Sequence, residues 1–258
     1  MTVPLLALDD LHIDVGGREA VRGVSFRMGR ERLGIVGESG AGKSLLGRAL
    51  LRLLPAGATM TARQLRFDGI DLLGLGDKGL KQLRGKRLAL VLQDPRFALN
   101  PAIPAGEQIA EALRQHHRMP RRAARAAALR RLDAVQIRDP ETVYRRYPHQ
   151  LSGGMGQRVM IAMMLAGDPD LLIADEPTSA LDASVAGGIL ALLDAEVRRR
   201  GMGIILISHD LDLVAAFCDR ILVMQGGGIV EVCAAADLAR ARHPYTRALL
   251  AARRGLDA

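Results

Sequence analysis

The chain has 258 residues, 49% of them hydrophobic, and a formal net charge of +8, enough apolar material for one large domain or two small ones. No apolar run reaches the roughly 20 residues of a membrane span, and no charged, apolar, then small-residue pattern at the N-terminus marks a secretion signal. Its 2 cysteines, Cys218 and Cys233, speak against a disulfide framework and for a reducing cytosol, while 3% aromatic content without Trp leaves few stacking platforms for single-stranded nucleic acid, which is not expected as a partner.

Residues 3–30 read as an antiparallel, β-rich start. The apolar run Leu33-Gly34-Ile35-Val36 then reads as a short buried strand, and Leu45–Leu51 has helical spacing and good helix formers. Between them stands Gly37-Glu38-Ser39-Gly40-Ala41-Gly42-Lys43-Ser44, which fits G-x-x-x-x-G-K-[ST]. Strand, glycine-rich loop and helix are the context that gives this string its meaning. The glycines let the backbone curl so that several N–H groups face a phosphate chain, and the helix N-terminus adds its positive dipole end. Lys43 is expected to reach the β- and γ-phosphates, and the Ser44 hydroxyl to bind Mg²⁺.

A second β region is expected near 64–71, with Asp68-Gly69 as its turn. Leu88–Leu92 reads as another strand, and Gln93 at its end can reach both Mg²⁺ and an attacking water through its amide oxygen. A helical insert is expected from about 105 to 166. It carries an arginine-rich stretch, Arg114–Arg131, expected as one helix with a solvated face; attraction to anionic lipid is the second reading. The insert closes on Leu151-Ser152-Gly153-Gly154-Met155-Gly156-Gln157-Arg158, where Ser152, Gly153 and Gly154 open a helix and form an anion site.

The core resumes with the apolar run Leu171–Ala174 ending in Asp175-Glu176, a buried parallel-strand pattern. Asp175 is expected to hold Mg²⁺ and Glu176 to polarise the attacking water. A helix near 184–200, a strand at 203–208 ending in His209, strands near 220–232 around Gly226-Gly227-Gly228, and a last helix over 244–253 complete the reading. An imidazole at the end of the 203–208 strand can contact a γ-phosphate, and His209 draws this expectation from the other motifs around it.

In order and spacing these strings resemble the ATP-binding-cassette (ABC) ATPase family, from about residue 5 to about residue 250. GESGAGKS resembles Walker A, LLIADE Walker B, Gln93 the Q-loop glutamine, LSGGMGQR the signature motif, SALD the D-loop and His209 the switch histidine. The resemblance implies an α/β fold: a P-loop NTPase core with an antiparallel β subdomain and a helical signature subdomain. It implies one nucleotide-binding domain over 1–258, with β subdomain and core at about 1–104 and 167–258 and the helical subdomain at about 105–166. ATP and Mg²⁺ follow. So does a head-to-tail pair of cassettes, in which Ser152, Gly153 and Gly154 cap the γ-phosphate of ATP held by the partner and Asp182 lies at the seam. One position departs from the pattern. The aromatic residue that stacks on adenine is replaced by Val15, which offers only apolar contact and so weaker adenine binding; strand alternation does not clearly favour nearby His12 as a substitute.

Finer features resemble the peptide and nickel importer branch: QDPRFALNP, RRYPHQLSGGMGQRVMIAMML and His243-Pro244-Tyr245-Thr246. This implies an ATPase that powers import of nickel or of di- and oligopeptides, peripheral on the cytoplasmic face of the inner membrane. Implied partners are a second, different cassette, two multi-span permease subunits and a periplasmic or surface substrate-binding protein. A permease coupling helix would meet residues Asp94–Glu107, where Asn100-Pro101 and Pro104 suit an exposed docking loop. Cys218 and Cys233 show no ligand pattern, so no iron–sulfur cluster is expected, and the short chain leans toward nickel-type members. HPYTRALL also reads as a capped terminal helix of structural role. The alternative function is an ABC-like component of a soluble metabolic complex, such as one for phosphonate breakdown.

Overall fold

A computed structural model of the chain describes residues 3–179, 181 and 183–254. In chain order it begins with β1 (Leu6–Val15), β2 (Arg18–Met28), β3 (Arg32–Val36), α1 (Lys43–Leu50), β4 (Ala58–Thr61), β5 (Gln64–Phe67), β6 (Ile70–Asp71) and α2 (Asp77–Leu83). There follow β7 (Leu88–Val91), α3 (Ala105–His117), α4 (Arg121–Ala134), α5 (Pro140–Arg145), α6 (Gly153–Met164), β8 (Leu171–Asp175) and α7 (Ala183–Arg200). The chain continues through β9 (Gly203–Ile207), α8 (Leu211–Phe217), β10 (Arg220–Gln225), β11 (Gly228–Ala234) and α9 (Pro244–Arg254). Two compact units result: Met1–Leu80 with Gly203–Ala258, and Lys81–Met202.

The first unit holds an antiparallel sheet in which β1 pairs β2, β4 and β5. Leu6 and Leu8 are buried, and so are Leu11 and Ile13, although a strict two-residue alternation puts these pairs on opposite faces. A register shift between Leu8 and Leu11 reconciles them, with Asp10 at φ 54 supplying the kink. The β1–β2 hairpin turns through Gly16 and Gly17, both at positive φ, the backbone pattern of a type I′ turn. The unit's other strands run β11-β10-β3-β9. β3 is parallel to both β9 and β10, and β9 is buried along its whole length, which is why it reads as an uninterrupted apolar run.

The second unit pairs β7 with β8 in parallel and carries helices α3–α7. The arginine-rich stretch is not one helix. α3 ends at His117, Arg118 takes a left-handed conformation at φ 54, and α4 starts after Pro120. Proline lacks the N–H that a continuing helix needs and disfavours helical geometry in the residue before it, so the strong helix propensity of Ala and Arg yields at Met119-Pro120. In α4 the buried residues are Ala124, Ala127, Ala128 and Leu132, leaving Arg121, Arg122, Arg125 and Arg130 exposed. That is a solvated face with an apolar stripe.

Asp168 gathers cations from three helices. Its carboxylate meets His117 Nε2 at 3.4 Å and Arg131 Nη2 at 2.7 Å, and pairs with Arg200, whose side chain is only 9% exposed. Arg200 also pairs with Glu196. Burial pushes the Asp168 carboxyl up, but the hydrogen bond from Arg131 and the Arg200 and Arg131 charges outweigh it and hold the group below the usual carboxylate range. A folded-state value below the unfolded one stabilises above the unfolded pKa and is lost as pH falls through the folded value. Asp168→Asn should therefore lower the urea midpoint at pH 7, and the gap to wild type should shrink as pH drops below about 4.

Candidate nucleotide site

The loop after β3 is shaped by glycines at places where a side chain cannot stand. Gly37 has φ 150, and a Cβ there would lie 2.2 Å from the Met224 carbonyl oxygen of β10. Gly42 caps α1 at φ 94, and its Cβ would meet Ala20 O at 2.6 Å. Ala41 N donates to Glu38 O at 3.2 Å, and Leu46 N to Gly42 O at 2.8 Å, so the loop closes on itself before the helix begins. Lys43 is 6% exposed, and its Nζ donates to Gly37 O at 2.7 Å and Glu38 O at 2.8 Å. The ammonium thus spans the loop it belongs to. Ser44 follows in the first turn of α1.

β9 lies beside β3, with Ile207 opposite Ile35 and Ser208 N donating to Ile35 O at 3.1 Å. The exposed His209 therefore leaves the same end of this sheet as the loop. Asp210 turns the chain into α8 by accepting from Asp212 N and Leu213 N. The structure adds a residue that no local pattern places here: the Tyr245 hydroxyl, in the first turn of α9, accepts from Glu38 N at 3.0 Å.

The other candidate residues sit in the second unit. β7 and β8 are parallel with Val91 opposite Ala174, so Gln93 and Asp175-Glu176 emerge from one end of the pair. Asp175 is 5% exposed. Glu176 has φ 48, so the chain turns sharply at this residue and its side chain diverges from that of Asp175. Ser152 caps α6, its Oγ accepting from Met155 N at 3.4 Å, and Gly156 N donates to Ser152 O at 2.8 Å. Gly153 is exposed with open space where a Cβ would be, while a Cβ at Gly154 would touch Val185 Cγ1 at 3.0 Å. A cavity of about 830 Å³ brings Gln93, Phe97, Ser152, Gly153 and Gln157 onto one lining. Phe97 is 83% exposed, and Gln157 is 2% exposed with its amide nitrogen buried and unpartnered. Neither residue was singled out by its motif. Asp94 braces this segment, accepting from Arg96 N at 2.9 Å and pairing with the Arg96 guanidinium at 2.6 Å. Asp182 lies outside the described residues.

At the expected adenine position, Val15 ends β1 beside the hairpin turn, 36% exposed and paired across the sheet with Arg18 and Ala58. His12 is already engaged: Nδ1 meets Glu19 at 2.7 Å and Nε2 meets Asp10 at 3.2 Å. The Glu19 and Asp10 hydrogen bonds raise its pKa above the ordinary histidine value, favouring the doubly protonated ring that donates from both nitrogens.

Cys218 is buried at the end of α8, and burial pushes its thiol up to about 12. Cys233 lies in β11. As for a divalent cation, the candidates Ser44, Gln93 and Asp175 are all hard oxygen donors, the chemistry that Mg²⁺ takes.

Residues 21–179 match the family described as ABC transporter. Among curated proteins, the chain is 46% identical to the probable peptide ABC transporter ATP-binding protein y4tR of Sinorhizobium fredii, over 95% of this chain and 76% of that one. It is 42% identical to the dipeptide transport ATP-binding protein DppD of Bacillus subtilis, over 98% and 78%. To the glutathione import ATP-binding protein GsiA of Pectobacterium atrosepticum it is 49% identical over 91% of this chain, which spans only 39% of that relative. Its fold superposes on a dimeric post-hydrolysis structure of the ATP-binding cassette MJ0796 bound to ADP and Pi, with a TM-score of 0.79, 27% identity, and coverage of 89% of this chain and 98% of that one. With the glycine-shaped loop, its bridging lysine and the capped signature helix in place, the chain belongs to the ABC transporter family and is an ABC-type ATPase cassette.

Proposed function

We propose that this cassette powers a membrane importer of di- or oligopeptides. The observation that carries the reading is likeness along nearly the whole chain to ATP-binding proteins named for dipeptide, oligopeptide and peptide transport. Those names favour peptide over nickel as the cargo.

The backbone amides of the Gly37–Ser44 loop and the Lys43 ammonium bind the β- and γ-phosphates of ATP. Ser44, Asp175 and Gln93 would hold Mg²⁺, which when bound neutralises charge on the phosphate oxygens. Glu176 orients and polarises the attacking water, and His209 contacts the γ-phosphate. Ser152, Gly153 and Gly154 offer a helix N-terminus to the γ-phosphate of ATP on a second cassette. Two cassettes closing on two ATP molecules, and opening after hydrolysis, would drive two permease subunits between access states, with a substrate-binding protein delivering cargo. Among the described residues no helix is long and apolar enough to cross a membrane; the proposed place of the subunit is on the cytoplasmic face, against its permease partners.

Lys43→Ala is expected to weaken Mg-ATP binding at least tenfold, since it removes the ammonium that spans the loop; titration with a fluorescent ATP analogue measures this. Pull-down of the tagged chain from detergent-solubilised native membranes tests the importer reading. Two multi-span proteins and a second cassette should be recovered. Recovery of soluble enzymes alone would contradict it and point to a metabolic complex.

A further inference from the structure

The peptide unit between Gly37 and Glu38 is held at both edges. Its carbonyl, Gly37 O, accepts from Lys43 Nζ at 2.7 Å. Its N–H, on Glu38, donates to the Tyr245 hydroxyl at 3.0 Å. A peptide unit is planar, so its two edges turn together. A group that fixes the N–H therefore also fixes where the carbonyl points, and that carbonyl, together with Glu38 O, accepts from the lysine ammonium. The glycine side of the unit has no slack either, because Gly37 packs against the backbone of β10.

Tyr245 is itself anchored. Glu231 of β11 accepts from Arg242 N at 2.6 Å and from His243 N at 3.3 Å. His243 Nδ1 accepts from Tyr245 N at 3.3 Å, and Thr246 is fully buried. Pro244 sets the backbone for entry into α9, where proline is favoured. The Arg242–Thr246 segment is thus a bracket fixed on β11 with a phenol at its tip, and the phenol meets the phosphate loop 207 residues away in sequence.

We propose that Tyr245 is a positioning residue for nucleotide binding. Its hydroxyl fixes the Gly37–Glu38 peptide plane and so sets where the Lys43 ammonium stands when the phosphates of a nucleoside triphosphate arrive. The proposal rests on the reading of Gly37–Ser44 as the phosphate site.

Tyr245→Phe keeps the ring and its packing and removes only the hydroxyl. In the full chain with Mg²⁺, the Kd for a fluorescent ATP analogue should rise about three- to tenfold, the worth of one hydrogen bond. The KM for ATP should rise by the same factor while kcat stays within about twofold, the split expected for lost binding without lost transition-state contacts, and Tm should fall by no more than a few degrees. Glu38→Pro removes the same hydrogen bond from its other side, so adding Tyr245→Phe to it should change Kd no further. Wild-type Kd in Tyr245→Phe would overturn the proposal, and so would independent, multiplying effects of the two substitutions. If Glu38→Pro fails to fold, Tyr245→Phe alone decides. Lys43→Ala separates the two levels: wild-type binding in that variant sinks the phosphate-site reading itself, whereas lost binding there with wild-type Kd in Tyr245→Phe sinks only the role of Tyr245.

Discussion

Glu176→Gln should bind Mg-ATP within about threefold of wild type and turn it over at least about a hundred times more slowly. The amide keeps the size and the acceptor oxygen of the carboxylate but loses the charge that draws a proton from water, and a positioned base contributes roughly 10²–10⁴ to rate. The backbone explains why this substitution separates binding from chemistry. Asp175 is the last residue of β8 and is buried, whereas Glu176 has left the strand at φ 48, which suits the different tasks proposed for the two adjacent carboxylates. Asp175→Asn is expected to behave differently, weakening binding in Mg²⁺ as well as turnover. Single-turnover hydrolysis beside equilibrium nucleotide binding measures both. Turnover near wild type in Glu176→Gln would remove Glu176 from the role of base.

Gly167→Ala should cost about 3 kcal/mol of stability, at the upper end for an overpacked core. Gly167 is buried in the turn that follows α6, and a Cβ there would fall 1.8 Å from the Gly85 carbonyl oxygen and 3.0 Å from Lys86 Cα. Every atom in the way is backbone, so no side chain can swing aside. The turn must retreat from the segment that leads into β7. Thermal unfolding should report a Tm lower by roughly 6–12 °C for a chain of this size. Gly187→Ala is the control: exposed in α7 with nothing within 4 Å of its Cβ, it should raise stability by up to about 1 kcal/mol, because alanine suits a helix better than glycine. A Gly167→Ala protein as stable as wild type would mean that the backbones separate at little cost.

The places of the proposed site residues are legible because each ends or follows a buried parallel strand, and such strands read as plain apolar runs. Val36 before Gly37, Val91 shortly before Gln93, Asp175 before Glu176 and Ile207 shortly before His209 are the last residues of such strands. The capped start of α6 was legible too, since Ser152 before two glycines is a local signal. What escaped is either weakly coded or long-range. The helix expected across Arg114–Arg131 rested on composition, which Pro120 overrides. Helix α8 is only 7 residues long, with Asp210 as its cap, and β4 is a 4-residue strand that exists by pairing with β1. Tyr245 stood in a recognised string, but no local pattern states that its hydroxyl meets Glu38, because that contact is made by the packing of α9 and not by spacing.

Uptake in reconstituted vesicles tests whether ATP turnover on this chain drives peptide import, as proposed above. The complex recovered with the tagged chain would be placed in proteoliposomes with its binding protein and a labelled dipeptide or short oligopeptide, and ATP supplied on the side facing the cassettes. The expected result is ATP-dependent accumulation that Glu176→Gln abolishes. ATP hydrolysis without accumulation of any peptide offered, or accumulation untouched by Glu176→Gln, would contradict it.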